Sequence, residues 1–151
     1  MTSEFAIAVH ALVFLEHKRI VISSEELAKN VCTNPARIRK VMAKLKRADL
    51  IHTKEGTEGG YLFFRDAGEV TLSMVADALQ ISFVSTSWRS GDPEKKCCVA
   101  SGMADVMTGI YADLNTCCKE LLKQRTIADV ERELFRFAKE KDGGKKRWER
   151  S

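Results

Sequence analysis

The sequence predicts a mainly α-helical chain with a small two-stranded β hairpin, arranged as a winged helix-turn-helix followed by a long C-terminal helix. Three observations predict it. Two helix starts follow one another closely at Ser23 and Asn34, a glycine-rich turn separates two β-prone runs just after them, and an apolar residue recurs every three or four positions from Met103 to Leu121.

Taken in order, the first helix opens at Ser3 and Glu4, and Phe5, Val9, Leu12 and Leu15 mark its successive turns. Ile7, Ala8, Ala11 and Phe14 widen the apolar side, so this helix is expected to lie buried between two other elements and to meet the C-terminal part of the chain. Ser23 and Glu26 have the spacing of a capping box, which satisfies otherwise orphaned backbone donors at the start of a second, short helix. In Thr33-Asn34-Pro35 a capping side chain precedes a proline whose fixed φ and missing N–H suit the first helical position. The third helix then carries Ile38, Val41, Met42 and Leu45 on one face and Arg37, Arg39, Lys40, Lys44 and Arg47 around the rest.

Residues 51–54 and 61–64 read as two strands, joined by a turn, residues 55–60, whose glycines give the backbone freedom a hairpin needs. Thr71 caps a helix bearing Leu72, Val75, Ala76 and Leu79. From Ser82 to Lys96 the periodicity fails, which predicts a connector and a hinge. Met103, Met107, Ile110, Leu114, Cys117 and Leu121 then form a heptad seam, which needs a long apolar partner: the same helix, or the first helix, of a second copy. Thr126 to Asp129 opens a last helix, with Val130, Leu134, Phe135 and Phe137 expected to fold back on the dimer region. The expected division is 1–81 winged helix-turn-helix domain, 82–97 connector, 98–140 dimerisation helices and 141–151 a flexible basic tail containing Trp148.

Charge points to nucleic acid. The whole chain of 151 residues is only +4, but residues 33–54 hold seven cations against the single carboxylate of Asp49. A capped helix, a basic helix and a hairpin in this order form a DNA-reading device. The apolar run Phe5–Leu15 is too short to span a bilayer and follows no basic-then-apolar leader, so the expected compartment is the cytoplasm, with no membrane partner. Five cysteines in such a chain fit a reducing compartment. His10, His17 and His52 have no Cys or acidic partner at ligand spacing and are read as ordinary core or surface histidines.

Ile22-Ser23-Ser24-Glu25-Glu26-Leu27-Ala28, the run Asn34 through Ile51 (NPARIRKVMAKLKRADLI), Gly59-Gly60-Tyr61, Val70-Thr71-Leu72 and Thr126 through Val130 together resemble the Rrf2 family of bacterial winged-helix transcription regulators. The resemblance implies a homodimer joined through the long helix, a double-stranded operator with dyad symmetry, and repression of transcription. It implies that Thr33, Asn34, Pro35 and Arg37 face the major groove with Arg39 and Lys40 close to bases or phosphates, and that the wing, with Lys54, Gly59 and Tyr61, lies beside them. This chain departs from the family at the wing tip, where many relatives carry an arginine and Glu55 stands here, with Glu58 nearby.

Cysteines set the subclass. Cluster-binding members of the family place three cysteines before the long helix, whereas this chain has the adjacent pair Cys97-Cys98 there and Cys117-Cys118 roughly 30 Å further along a helix. No Cys-x2-Cys pair suggests zinc either. Pro93 to Val99 resembles the cluster-free branch, in which Cys98 matches a single cysteine, and Lys95, Lys96 and a helix N-terminus would favour its thiolate. Redox sensing at Cys98 and Cys97 and simple packing of Cys98 at the helix start both remain open; Cys32 and Cys117 read as small core hydrophobes and Cys118 as either. The sequence thus predicts no enzyme and no resident cofactor. It predicts a DNA-binding regulator responding to a thiol signal, with an Fe-S-sensing regulator and a DNA-free interaction module as alternatives.

Overall fold

The computed structural model describes residues 2–141, so Met1 and residues 142–151, with Trp148 and most of the expected tail, lie outside the described residues. The elements run α1 (Thr2–Lys18), α2 (Ser24–Val31), α3 (Pro35–Arg47), β1 (His52–Lys54), β2 (Gly60–Leu62), α4 (Leu72–Leu79), α5 (Cys98–Leu122) and α6 (Ile127–Lys141). Caps fall where the sequence puts them. Ser23 Oγ accepts from Glu26 N at 3.2 Å, Asn34 Oδ1 from Arg37 N at 2.9 Å and Thr71 Oγ1 from Met74 N at 3.1 Å. Thr126 and Asp129 form a reciprocal box, each side chain accepting from the other's backbone N–H at 3.1 and 2.9 Å.

The core is built around α1, whose Ile7, Ala8, Ala11, Leu12 and Leu15 are buried. It packs on α2, α3, α4 and α6, which is why its apolar stripe is so wide. Leu27 from α2, Ile38, Met42 and Leu45 from α3, and Ile51 before the hairpin complete the interior. Among the described residues no helix is long and apolar enough to cross a membrane.

The hairpin is shorter than the alternation predicts. β1 and β2 pair antiparallel in the register His52↔Leu62, Thr53↔Tyr61, Lys54↔Gly60. Ile51 and Phe63 leave the ladder because both are drawn into the core, at 1% and 6% exposure. Ile22 adds a bridge that the sequence does not announce, with Ile22 N donating to Tyr61 O at 3.0 Å and Tyr61 N to Ile22 O at 2.8 Å. Here glycine is required: a Cβ on Gly60 would stand 2.2 Å from Ile22 O.

The C-terminal part meets α1, as the wide apolar stripe of the first helix leads one to expect: α6 packs against α1 of its own chain, with Ile127 wholly buried and Phe135 meeting the His17 ring at 5.2 Å between centroids. A second bridge, Thr71↔Thr126, fixes that position: Leu72 N donates to Arg125 O at 2.8 Å and Ile127 N to Val70 O at 2.9 Å. The connector is clipped to α5, since Asn115 accepts from Val84 N at 2.8 Å and donates to Val84 O at 2.7 Å. α5 itself buries no residue completely; Met103, Ile110, Leu114, Cys117 and Leu121 of the seam are exposed in the single chain and Met107 is half-buried.

Candidate nucleic-acid interface

α2 and α3 meet through a tight turn in which Cys32 takes a left-handed conformation, φ 62°, and Thr33 N donates back to Ala28 O at 3.0 Å. The turn leaves Cys32 exposed, its Sγ 3.6 Å from Lys29 O, so it is not the core residue the sequence suggests. Ile38, Val41, Met42 and Leu45 anchor α3 inward, and that anchoring turns Arg37, Arg39 and Lys40 to the surface. The amphipathic pattern decides which side of α3 a duplex can meet.

Each expected contact residue has a definite setting. Thr33 and Pro35 are half-buried at the entry to α3. Asn34 is exposed, but its carbonyl oxygen is committed to the Arg37 amide as the cap. Arg37 Nη2 donates to Ser3 Oγ at 3.2 Å, and Arg39 Nη1 to Ser24 Oγ at 3.2 Å with Glu25 Oε1 at 3.7 Å. Lys40 Nζ lies 3.4 Å from Glu4 Oε1 and Lys44 Nζ 2.8 Å from Glu4 Oε2. That hydrogen bond from Lys44, with Lys40 adding to it, holds the Glu4 carboxyl below the usual range against partial burial. Sequence reasoning missed Ser3 and Glu4 as neighbours of α3, and only the fold brings them there.

The wing is tied to the segment before α2 through Tyr61, which pairs with Ile22. Burial pushes the Tyr61 hydroxyl above the usual tyrosine range, while Arg39 opposes and Glu25 assists the shift. Gly59 sits in the turn where a Cβ would be 2.4 Å from Lys54 O, so this position excludes side chains. Lys54 is exposed at the end of β1, and Glu55 and Glu58 are exposed next to it. The His52 ring meets Phe64 at a tilt of 45° with centroids 3.7 Å apart, so it is an aromatic partner on the wing surface.

Cys97 and Cys98 are both exposed where α5 begins, Cys97 as the N-cap residue. The Ala100 and Val99 backbone N–H groups aim at the Cys97 thiol and hold it below the usual range, although no side-chain capping bond closes. The helix start therefore acts on Cys97, one residue before the position that the family pattern singles out. Cys117 is exposed in the single chain and Cys118 half-buried.

A capped basic helix presented beside a hairpin defines the class as a winged helix-turn-helix DNA-binding protein. The sequence profile of the Rrf2 family, described as an iron-dependent transcriptional regulator, matches residues 1–133, and the chain belongs to that family. This is a family of transcription regulators and not of enzymes. The chain is 26% identical over 137 residues to YwnA of Bacillus subtilis (strain 168), named as an HTH-type transcriptional regulator candidate, covering 89% of this chain and 99% of that protein. Among solved structures, a transcriptional regulator candidate from Lactobacillus plantarum superposes with a TM-score of 0.79 at 20% identity, covering 96% of this chain and 100% of that one. T. potens IscR gives 0.64 at 17% identity over 89% of this chain and 87% of its own. CymR, the global cysteine regulator of B. subtilis, gives 0.62 at 16% identity over 88% and 96%. At these identities the structures share the fold.

The family's description raises iron, which needs a set of converging donors. Among the described residues no three His, Cys, Asp or Glu side chains converge where an ion could sit. Cys97-Cys98 stand at the start of α5 and Cys117-Cys118 near its end, too far apart along the helix to share a compact cluster within a chain. The described residues of a single chain bring no iron ligand set together.

Proposed function

We propose that this protein is a cytoplasmic homodimeric, sequence-specific transcription repressor that pairs through α5, places two copies of α3 on a dyad-symmetric operator, and responds to a thiol signal at Cys97 and Cys98 without a resident metal. The observation that carries the reading is the presentation of Arg37, Arg39 and Lys40 on a helix fixed by its Asn34 cap and its buried apolar face. Arginine forks suit guanine edges and lysines suit phosphates, so Arg37 and Arg39 carry sequence choice while Lys40 and Lys54 carry position. The uncovered seam on α5 supports pairing, because an exposed apolar strip of this length is stable only when a second surface covers it. The adjacent thiols support the signal, and CymR, a regulator named for cysteine, shares the fold.

Gel-shift with the duplex upstream of the protein's own gene, at about 50 mM salt where phosphate contacts are strongest, tests the DNA part. Binding that depends steeply on salt and on sequence is expected; no shift at that salt removes it and leaves the interaction-module reading. Mass mapping after mild peroxide is expected to find Cys97 or Cys98 oxidised with loss of DNA binding, and an unchanged response in the double Cys97→Ser, Cys98→Ser variant removes the thiol signal. The family's iron-dependent description favours the second reading, an Fe-S-sensing regulator. Brown protein with bound iron after anaerobic purification would select it.

A further inference from the structure

The first turn of α1 lies along the basic side of α3. Ser3 meets Arg37, and Glu4 reaches both Lys40 and Lys44, one carboxylate oxygen for each. These three cations sit at positions i, i+3 and i+7 of α3, a single stripe on one side of the helix. Glu4 is well covered, its side chain 16% exposed, and Lys44 is 26% exposed, so this is a partly desolvated pair and stronger than a surface one. Lys40 is 69% exposed and held at the longer distance of 3.4 Å, so it is shared between Glu4 and solvent. A negative charge built into the edge of a surface meant for phosphate reduces the very attraction that surface supplies.

We propose that Glu4 is a specificity-determining residue: it withholds Lys44, and partly Lys40, from DNA phosphates, and so limits sequence-independent binding. The inference rests on the DNA-binding reading of α3. Phosphate contacts supply nearly all of non-specific affinity and a salt slope of about −0.9 per phosphate neutralised. Lysine on a flexible four-carbon stem is the side chain best able to move from an internal carboxylate to a nearby phosphate. With Glu4 in place, the ammonium of Lys44 adds little to any duplex, and discrimination is left to groups facing the base edges. The depressed carboxyl of Glu4 keeps it charged across the physiological range, so the restraint is permanent.

The test measures binding of the full chain to a random-sequence duplex and to its operator by fluorescence anisotropy between 50 and 200 mM salt. For Glu4→Gln the slope of log K against log salt on random DNA is expected to steepen by between about 1 and 2 units, with the ratio of operator to random affinity falling. Glu4→Asp, one methylene shorter but still anionic, should stay close to wild type. In a Lys44→Met background the Glu4→Gln increment should shrink to what Lys40 alone supplies. Melting curves confirm that each variant is folded. Should wild type bind no duplex, the DNA-binding reading falls and this inference with it. Should wild type bind while Glu4→Gln leaves the random-DNA slope unchanged, or lowers operator affinity alone, Glu4 only orients α3 and the proposal is overturned.

Discussion

Asn34 shows how one side chain couples stability to recognition. Its oxygen accepts from the Arg37 amide at 2.9 Å, so the same interaction starts α3 and fixes the backbone of the arginine expected to read the duplex. Asn34→Ala should lower stability by about 1 kcal/mol, read as a drop in melting temperature, and should weaken operator binding further through Arg37. Acid should act through Glu4 and Asp129. Lys44 holds Glu4 below the usual carboxyl range, and the Thr126 amide does the same for Asp129, with the Thr126 hydroxyl and Arg132 assisting. Carboxyls depressed in the folded state contribute stability that is complete above their ordinary values and is lost as pH falls through the folded ones. Melting temperature should therefore decline below about pH 5, and less steeply in Glu4→Gln than in wild type. Asn34 is readable from sequence because a cap acts over three residues, while the partners of Glu4 lie 36 and 40 positions away.

The wing is the element where local pattern and tertiary demand diverge. Alternation predicts four-residue strands, yet Ile51 and Phe63 serve the core and only three pairs remain. A hairpin so short is marginal by itself. Ile22 stabilises it by pairing with Tyr61 from outside, and the approach is so close that Gly60 has no room for a methyl group. Gly60→Ala should lower stability by roughly 1–3 kcal/mol in a denaturant melt and release the wing from Ile22, so that amides of residues 52–62 exchange faster with solvent. The capping box of α6 was equally legible, in Thr126 and Asp129. The bridge that holds it was not, because Thr71↔Thr126 joins segments 55 residues apart in the chain.

At the scale of the whole molecule, the unresolved demand is the seam of α5. Met103, Ile110, Leu114 and Leu121 are between 38% and 63% exposed, while the buried core lies wholly around α1. If the seam is the site of pairing, light scattering of the wild type should give twice the 16.9 kDa of one chain. Ile110→Lys with Leu114→Lys should return the mass to that of one chain at micromolar concentration while helix content changes little, since both side chains face solvent in the single chain. A dimeric double variant would move the interface elsewhere.

Periodicities, caps and glycines act over a few residues, and through them the sequence by itself determined the six helices, the wing and the basic face of α3. Tertiary structure alone decided that Ile22 extends the hairpin, that the Thr71↔Thr126 bridge holds the start of α6, and that Glu4 occupies two recognition-helix lysines. The physical reason is range: a backbone preference is encoded where it acts, whereas an ion pair or a bridge between distant segments exists only after the core has brought them together.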